Sequence, residues 1–196
     1  MATEAPPSLL LQTCDYILSR LTTYFGSRPD SFSAFIDGNV KAHGWLPAEA
    51  YVALTTPVTR ERIKVTAVRG KVQGEAKFNP DLEININEEY HQLAVIPVLT
   101  TADEPLADQM EKGLAEAFQW LSNMKARSII YLLAFPGGLQ DEEWQAGLAK
   151  AEEVYQAKAV GQMQFVLPRP PKPMLHASAA VLLHTSKVPA PTAEGS

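Results

Sequence analysis

Glu75 and Lys77 stand two residues apart in an alternating stretch, a spacing that puts both side chains on one face of a strand. A Glu-x-Lys strand with a further acid on its neighbour is the residue set of a metal-dependent nuclease. Two carboxylates hold Mg²⁺, and the lysine positions or polarises a water. Asp81, Glu83 and Glu61 are the acids that could complete the set, but the acid needed upstream is missing. Between Gly38 and Gly74 the only acids are Glu49 and Glu61, and neither lies in a clear strand. A simpler chemistry accounts for the same residues. With Arg69-Gly70 as a two-residue turn, Lys64 faces Glu75 and Thr66 faces Gln73. With Asn79-Pro80-Asp81 as the next turn, Lys77 faces Glu83. Opposite-charge pairs of this kind on a wet sheet face contribute about 0.2–1 kcal/mol each and require no metal. The sequence therefore favours a solvated ladder with no cofactor; Mg²⁺ held by Glu75 and Glu83, with Lys77 and Asp81 in catalytic roles, is the alternative.

Other chemistry-bearing residues read as structural. Gly137-Gly138 lies between a strand and a helix, where phosphates are often cradled. That helix opens with Asp141, Glu142 and Glu143, whose charges satisfy its positive end and repel a phosphate. His43, His91, His176 and His184 are not spaced as zinc ligands, and one cysteine cannot complete a structural site. His91, near Glu88 and Glu89, reads as a surface or partly buried histidine. Asp37-Gly38-Asn39 offers one acid/base residue but is equally turn chemistry. Cys14 falls on an apolar helix stripe and reads as a small buried hydrophobe. No Gly-x-Ser-x-Gly is present.

Candidate contact residues are Phe118 and Trp120, at the margin of a helix stripe, and Arg169 and Lys172, set in a Pro-x-x-Pro run. A marginal aromatic can anchor a partner, and a proline run can dock in an aromatic groove. A small-ligand pocket between residues 27–48 and the sheet is a further expectation.

With 17 Lys and Arg against 22 Asp and Glu, the 196-residue chain carries −5, which disfavours a surface that binds nucleic acid throughout. One cysteine excludes an internal disulfide, and no run approaches the ~18 apolar residues of a membrane span. The expected setting is a reducing, cytoplasmic one, and the partner another protein or a second copy of the chain. Nucleic acid enters only under the nuclease alternative.

The elements that must position these residues follow from periodicity. Residues 1–7 form an arm. A helix runs from Ser8 to about Phe25, with Ile17, Leu18, Leu21 and Phe25 on one stripe and Gly26 as its stop. Residues 27–48 read as a packed irregular segment with a short helical turn, and 50–55 as a strand ended by Pro57. Alternation predicts three antiparallel strands over 63–87, with one face apolar and its reverse wet. The run 91–99 is apolar on both faces and reads as a central strand, with Pro97 marking an unpaired or bulged end. Leu106, Met110, Leu114, Ala117, Leu121 and Met124 trace a helix over 104–125, capped by Thr101 or Asp103. Then come a strand (128–135), a helix from Asp141 to Gly161 and a strand (162–167), in β-α-β order. Residues 168–173 read as an extended proline crossover, 174–184 as an edge strand or short helix, and 185–196 as a disordered tail.

The expected fold is one α+β domain over 8–184. An N-terminal helix precedes a mainly antiparallel meander of about four or five strands, covered by the long amphipathic helix and extended by β-α-β. In element order this resembles both nuclease cores and small acidic chaperone-like adaptors. The function expected first is a non-catalytic interaction, adaptor or assembly subunit; the nuclease is second.

Overall fold

The computed structural model describes residues 9–40, 42–56, 65–69, 82–86, 89–101, 103–121, 128–138 and 140–184, with backbone alone at 65–69, 83–86, 89–90 and 119–121. Its elements are α1 (Leu9–Gly26), α2 (Pro29–Gly38), α3 (Trp45–Thr55), β1 (Val65–Arg69), β2 (Leu82–Ile86) and β3 (Glu89–Leu99). They continue with α4 (Leu106–Leu121), β4 (Ser128–Phe135), α5 (Glu142–Tyr155), β5 (Ala157–Arg169) and β6 (Lys172–His184). The fold is α+β. The strands make one mixed sheet in the order β1-β2-β3-β4-β6-β5. Among the described strands only β3 and β4 are parallel neighbours; every other pairing is antiparallel.

Both faces of the sheet are covered at its centre, over β3, β4 and β6; the wet reverse expected over 63–87 concerns side chains that, Leu82 apart, lie outside the described set. On one face α1, α2 and α3 set Ile17, Leu21, Phe25, Phe32 and Leu46 against Leu93, Tyr131, Leu133 and Phe135. On the other, Met110 and Leu114 of α4 and Trp144 and Leu148 of α5 meet Ile96, Ile130, Leu132 and Leu182. The alternation of β4 explains the division: Ile129, Tyr131, Leu133 and Phe135 enter the first core, Ile130, Leu132 and Ala134 the second, and all eight positions are buried. Each large side chain so buried contributes about 1.5–3 kcal/mol. Leu82 of β2 packs with α1–α3, opposite the long helix it was expected to meet.

Several expected elements take a different form. Residues 50–55 belong to helix α3, not a strand. Leu46, Ala50, Ala53 and Leu54 fall on one buried stripe, and Pro47 sits in the first turn, where its missing N–H costs nothing. Pro29 likewise opens α2, which replaces an irregular segment and ends at Asn39 in the left-handed region (φ 49°). β1 pairs directly with β2, leaving no place between them for a middle strand; residues 70–81 lie outside the described set. Glu83 stands between Arg69 and Gln92 in the ladder, where Lys77 was expected.

The β3–β4 ladder runs in register through Pro97↔Leu133 to Leu99↔Phe135, without the bulge that Pro97 suggested. α5 ends at Gln156 (φ 53°), five residues before Gly161, which lies within β5. The proline run is a hairpin turn rather than a crossover: Arg169 pairs with Lys172 across Pro170 and Pro171, whose bond is cis. β6 is an interior strand, seated between β4 and β5, while β5 takes the edge. Since β6 is antiparallel to both, β4 and β5 run the same way, as the β-α-β order implied.

The helix starts are tied together. Asp141 caps α5 by accepting from the Glu143 N–H at 2.9 Å. The Glu143 carboxylate in turn accepts from the Leu106 N–H, capping α4 from outside. That role was expected of Thr101 or Asp103. Among the described residues no helix is long and apolar enough to cross a membrane.

Candidate functional site

β5 is the one edge of the sheet whose side chains are described. Between register shifts at Ala159/Gly161 and Leu167/Arg169, seven residues from Gly161 to Leu167 pair with β6 without interruption. Their sequence, Gly-Gln-Met-Gln-Phe-Val-Leu, contains no charge. Phe165 and Leu167 pack with the α1–α3 core, and Gln162 accepts from Trp144 Nε1 at 2.9 Å and Gln145 Nε2 at 3.3 Å. Met163 is 37% exposed and Val166 42%, and across the hairpin Met174 is 60% exposed. At Gly161 an added Cβ would stand 2.8 Å from Leu18 Cδ2, so α1 lies directly on the strand there.

The hairpin tip is latched to α2. Asp37 accepts from Lys172 Nζ at 2.7 Å and from Arg169 Nη2. The Lys172 hydrogen bond is the largest influence on the Asp37 carboxyl; desolvation opposes it, and the Arg169 hydrogen bond with the charges of both cations keeps the group below its usual range. The turn thus places both cations of the proline run on one carboxylate, 132 residues from Arg169 in sequence. This is where the structure puts the two basic contact residues expected from sequence.

The aromatic contact residues divide. Phe118 is half-buried, stacked on Tyr155 (centroids 4.7 Å apart, planes at 13°) and edge-on to His184 at 4.9 Å. Trp120 lies near the end of α4, where backbone alone is described. Of the nuclease set, Glu83 is in β2, while Glu75, Lys77, Asp81 and Glu61 fall outside the described residues. Among the described residues, no group of three or more His, Cys, Asp or Glu side chains is placed to hold a metal ion. His91 is buried, at 4% exposure. His184 Nδ1 lies 2.9 Å from the Tyr155 carbonyl, and the His176 carbonyl accepts from Gly137. Cys14 is buried as expected. Burial, then the charge of Asp15, push its thiol pKa up to about 12, which leaves it unreactive.

Sequence reasoning missed two polar clusters. Arg28 lies over the Tyr24 ring at 3.6 Å and contacts Glu49 at 3.0 Å, and Tyr24 donates to Glu49 at 2.6 Å. The four-residue spacing of Tyr24 and Arg28 was visible; the partner from α3 was not. Inside the first core, Thr22 and Tyr131 share a hydrogen bond of 3.2 Å.

The pocket expected between residues 27–48 and the sheet corresponds to a cleft of about 390 Å³. Asn39, Ala42 and His43 form one wall, Pro97–Leu99 at the end of β3 the floor, and the first turns of α4 the other wall. Gly113 sets the spacing of α4 from β3, since an added Cβ would stand 2.6 Å from Ile96 Cγ2.

No protein-family profile, curated protein or solved structure matches this chain.

Proposed function

We propose that the protein is a non-catalytic assembly or adaptor subunit, and that it joins a second copy of itself along β5. The observation that carries this reading is the uncharged stretch Gly161–Leu167 on an edge strand that exposes Met163 and Val166. Solitary proteins blunt such edges with charge, proline or a bulge. Here Lys158, Pro168 and both register shifts flank the stretch and leave it unbroken. Two copies related by a two-fold axis through Gln164 would set Gln162 opposite Val166 and Met163 opposite Phe165, with no like charges in contact. Seven residues span ~23 Å of ladder, enough to make two sheets one. The buried single cysteine supports a reducing, cytoplasmic setting for such a subunit.

Sedimentation velocity between about 1 and 100 µM tests it, because a standard-sized interface gives micromolar or tighter association. A dimer is expected for the native chain and a monomer for Met163→Lys/Val166→Lys, with unchanged circular dichroism. A native chain that stays monomeric overturns the reading. Cleavage of DNA or RNA that depends on Mg²⁺ and disappears in Glu75→Ala would replace it with the nuclease alternative.

A further inference from the structure

The cleft lies away from β5, with β4 and β6 between β5 and the β3 strand that floors it. Its position is one where open sheets commonly bind small molecules: the carboxyl end of a strand, beside a parallel neighbour. Its lining has two characters. Pro97, Val98 and Leu99 supply an apolar floor, and Asp103, Glu104, Lys112 and Glu116 supply charge. Among the described lining residues these charges do not balance. Lys112 donates to Glu104, which matches the lysine. Asp103 and Glu116 have no ion pair or hydrogen bond among the described residues, and both face a volume large enough for a small organic molecule. One anionic wall, that of Asp103 and Glu116, beside an aliphatic floor selects a ligand with a cationic head and an apolar chain, and repels carboxylates and phosphates.

We infer that this cleft binds a primary ammonium group carried on a short aliphatic chain, the chain lying on Pro97–Leu99 and the ammonium between Asp103 and Glu116. A free alkylamine and a lysine side chain presented by a peptide share this chemistry. The site goes beyond the assembly reading and does not depend on it.

Amide shift mapping of the full-length chain in low-salt, amine-free buffer tests the assignment. The probes are n-pentylamine, Nα-acetyl-lysine methylamide and, as the charge-reversed control, sodium pentanoate. Pentylamine is expected to move the Thr101, Gly113 and Glu116 amides with a millimolar Kd, and pentanoate to leave them in place. Asp103→Asn/Glu116→Gln should weaken amine binding by ~10-fold, the loss of two partly screened charges, with Tm retained. Each single variant gives a second reading should the double variant fail to fold. Equal binding of the blocked lysine identifies a peptide source, and binding of pentylamine alone a free amine; both support the site. The assignment is overturned if amine and pentanoate act alike, if the shifts lie away from the cleft, or if the variants bind the amine as the native chain does.

Discussion

Replacing Phe32 by alanine should remove a large share of the stability of the domain and loosen α2 in particular. Phe32 is fully buried and is the only residue of α2 that is. Five rings surround it, those of Phe135 at 5.0 Å, Trp45 at 5.6, Phe165 at 5.9, Phe25 at 6.0 and Phe35 at 6.5 Å, most of them edge-on. Truncating a buried phenylalanine costs about 3–5 kcal/mol from lost transfer and cavity. The ring pairs contribute ~0.5–1.5 kcal/mol each, but their losses overlap and do not sum. A loss of about 4 kcal/mol is expected, against the 5–15 kcal/mol typical of a whole domain, and a fall in Tm of roughly 10 °C. Phe32→Leu keeps most of the volume and should cost about 1–2 kcal/mol. Urea unfolding followed by fluorescence and circular dichroism measures both. Hydrogen exchange adds a local readout: α2 amides should lose protection in Phe32→Ala more than those of β4. A cost below about 1 kcal/mol, or equal costs for the two variants, would refute the claim that this ring cluster anchors α2.

Three further outcomes follow from the same structure. Gly113→Ala should cost about 1–3 kcal/mol because its Cβ meets Ile96 Cγ2 at 2.6 Å, whereas Gly138→Ala, with open space around it, should change stability by less than ~0.5 kcal/mol; urea midpoints separate the two. Asp37 is held below its ordinary value of 3.8, so its latch stabilises the fold above that pH and is lost as pH falls through the lowered value. Asp37→Asn should therefore lower Tm at pH 7 and match the native chain under strongly acidic conditions. With a thiol pKa of about 12, Cys14 should react with Ellman's reagent at pH 8 on the order of 100-fold more slowly in the folded chain than in urea.

Period told more of this fold than local residue type did. The stripe from Leu106 to Leu114 and the doubly apolar runs 91–99 and 128–135 marked α4 and the two central strands, because burial on a fixed face forces a fixed spacing. Punctuation misled where one residue serves opposite ends of an element. Pro29 and Pro47 read as breakers, yet each sits where a helix begins. Residues 50–55 look strand-like by composition, and their burial against α1 and the sheet holds them helical. The second covering layer was not legible: three separate helices must converge on one face, and alternation in β2 cannot say which helices meet it. The site was only partly legible. A pocket beside residues 27–48 was among the expectations, but its lining from α4 and the end of β3 depends on how distant segments meet. The edge position of β5 depends on β6 entering between β4 and β5, a choice of neighbour that neither strand records.

That insertion has a consequence for the order in which the molecule can become complete. β6 is the last described strand to leave the ribosome, yet it is the keystone of the sheet. Ala177, Ala179 and Val181 close one interior while Ala180 and Leu182 close the other. Until it arrives, β4 and β5 have no bridge, and the helices above and below face an open slot. A nascent chain halted at the Pro170-Pro171 turn is thus half-built on both sides at once, and its greasy gap invites any passing strand that fits.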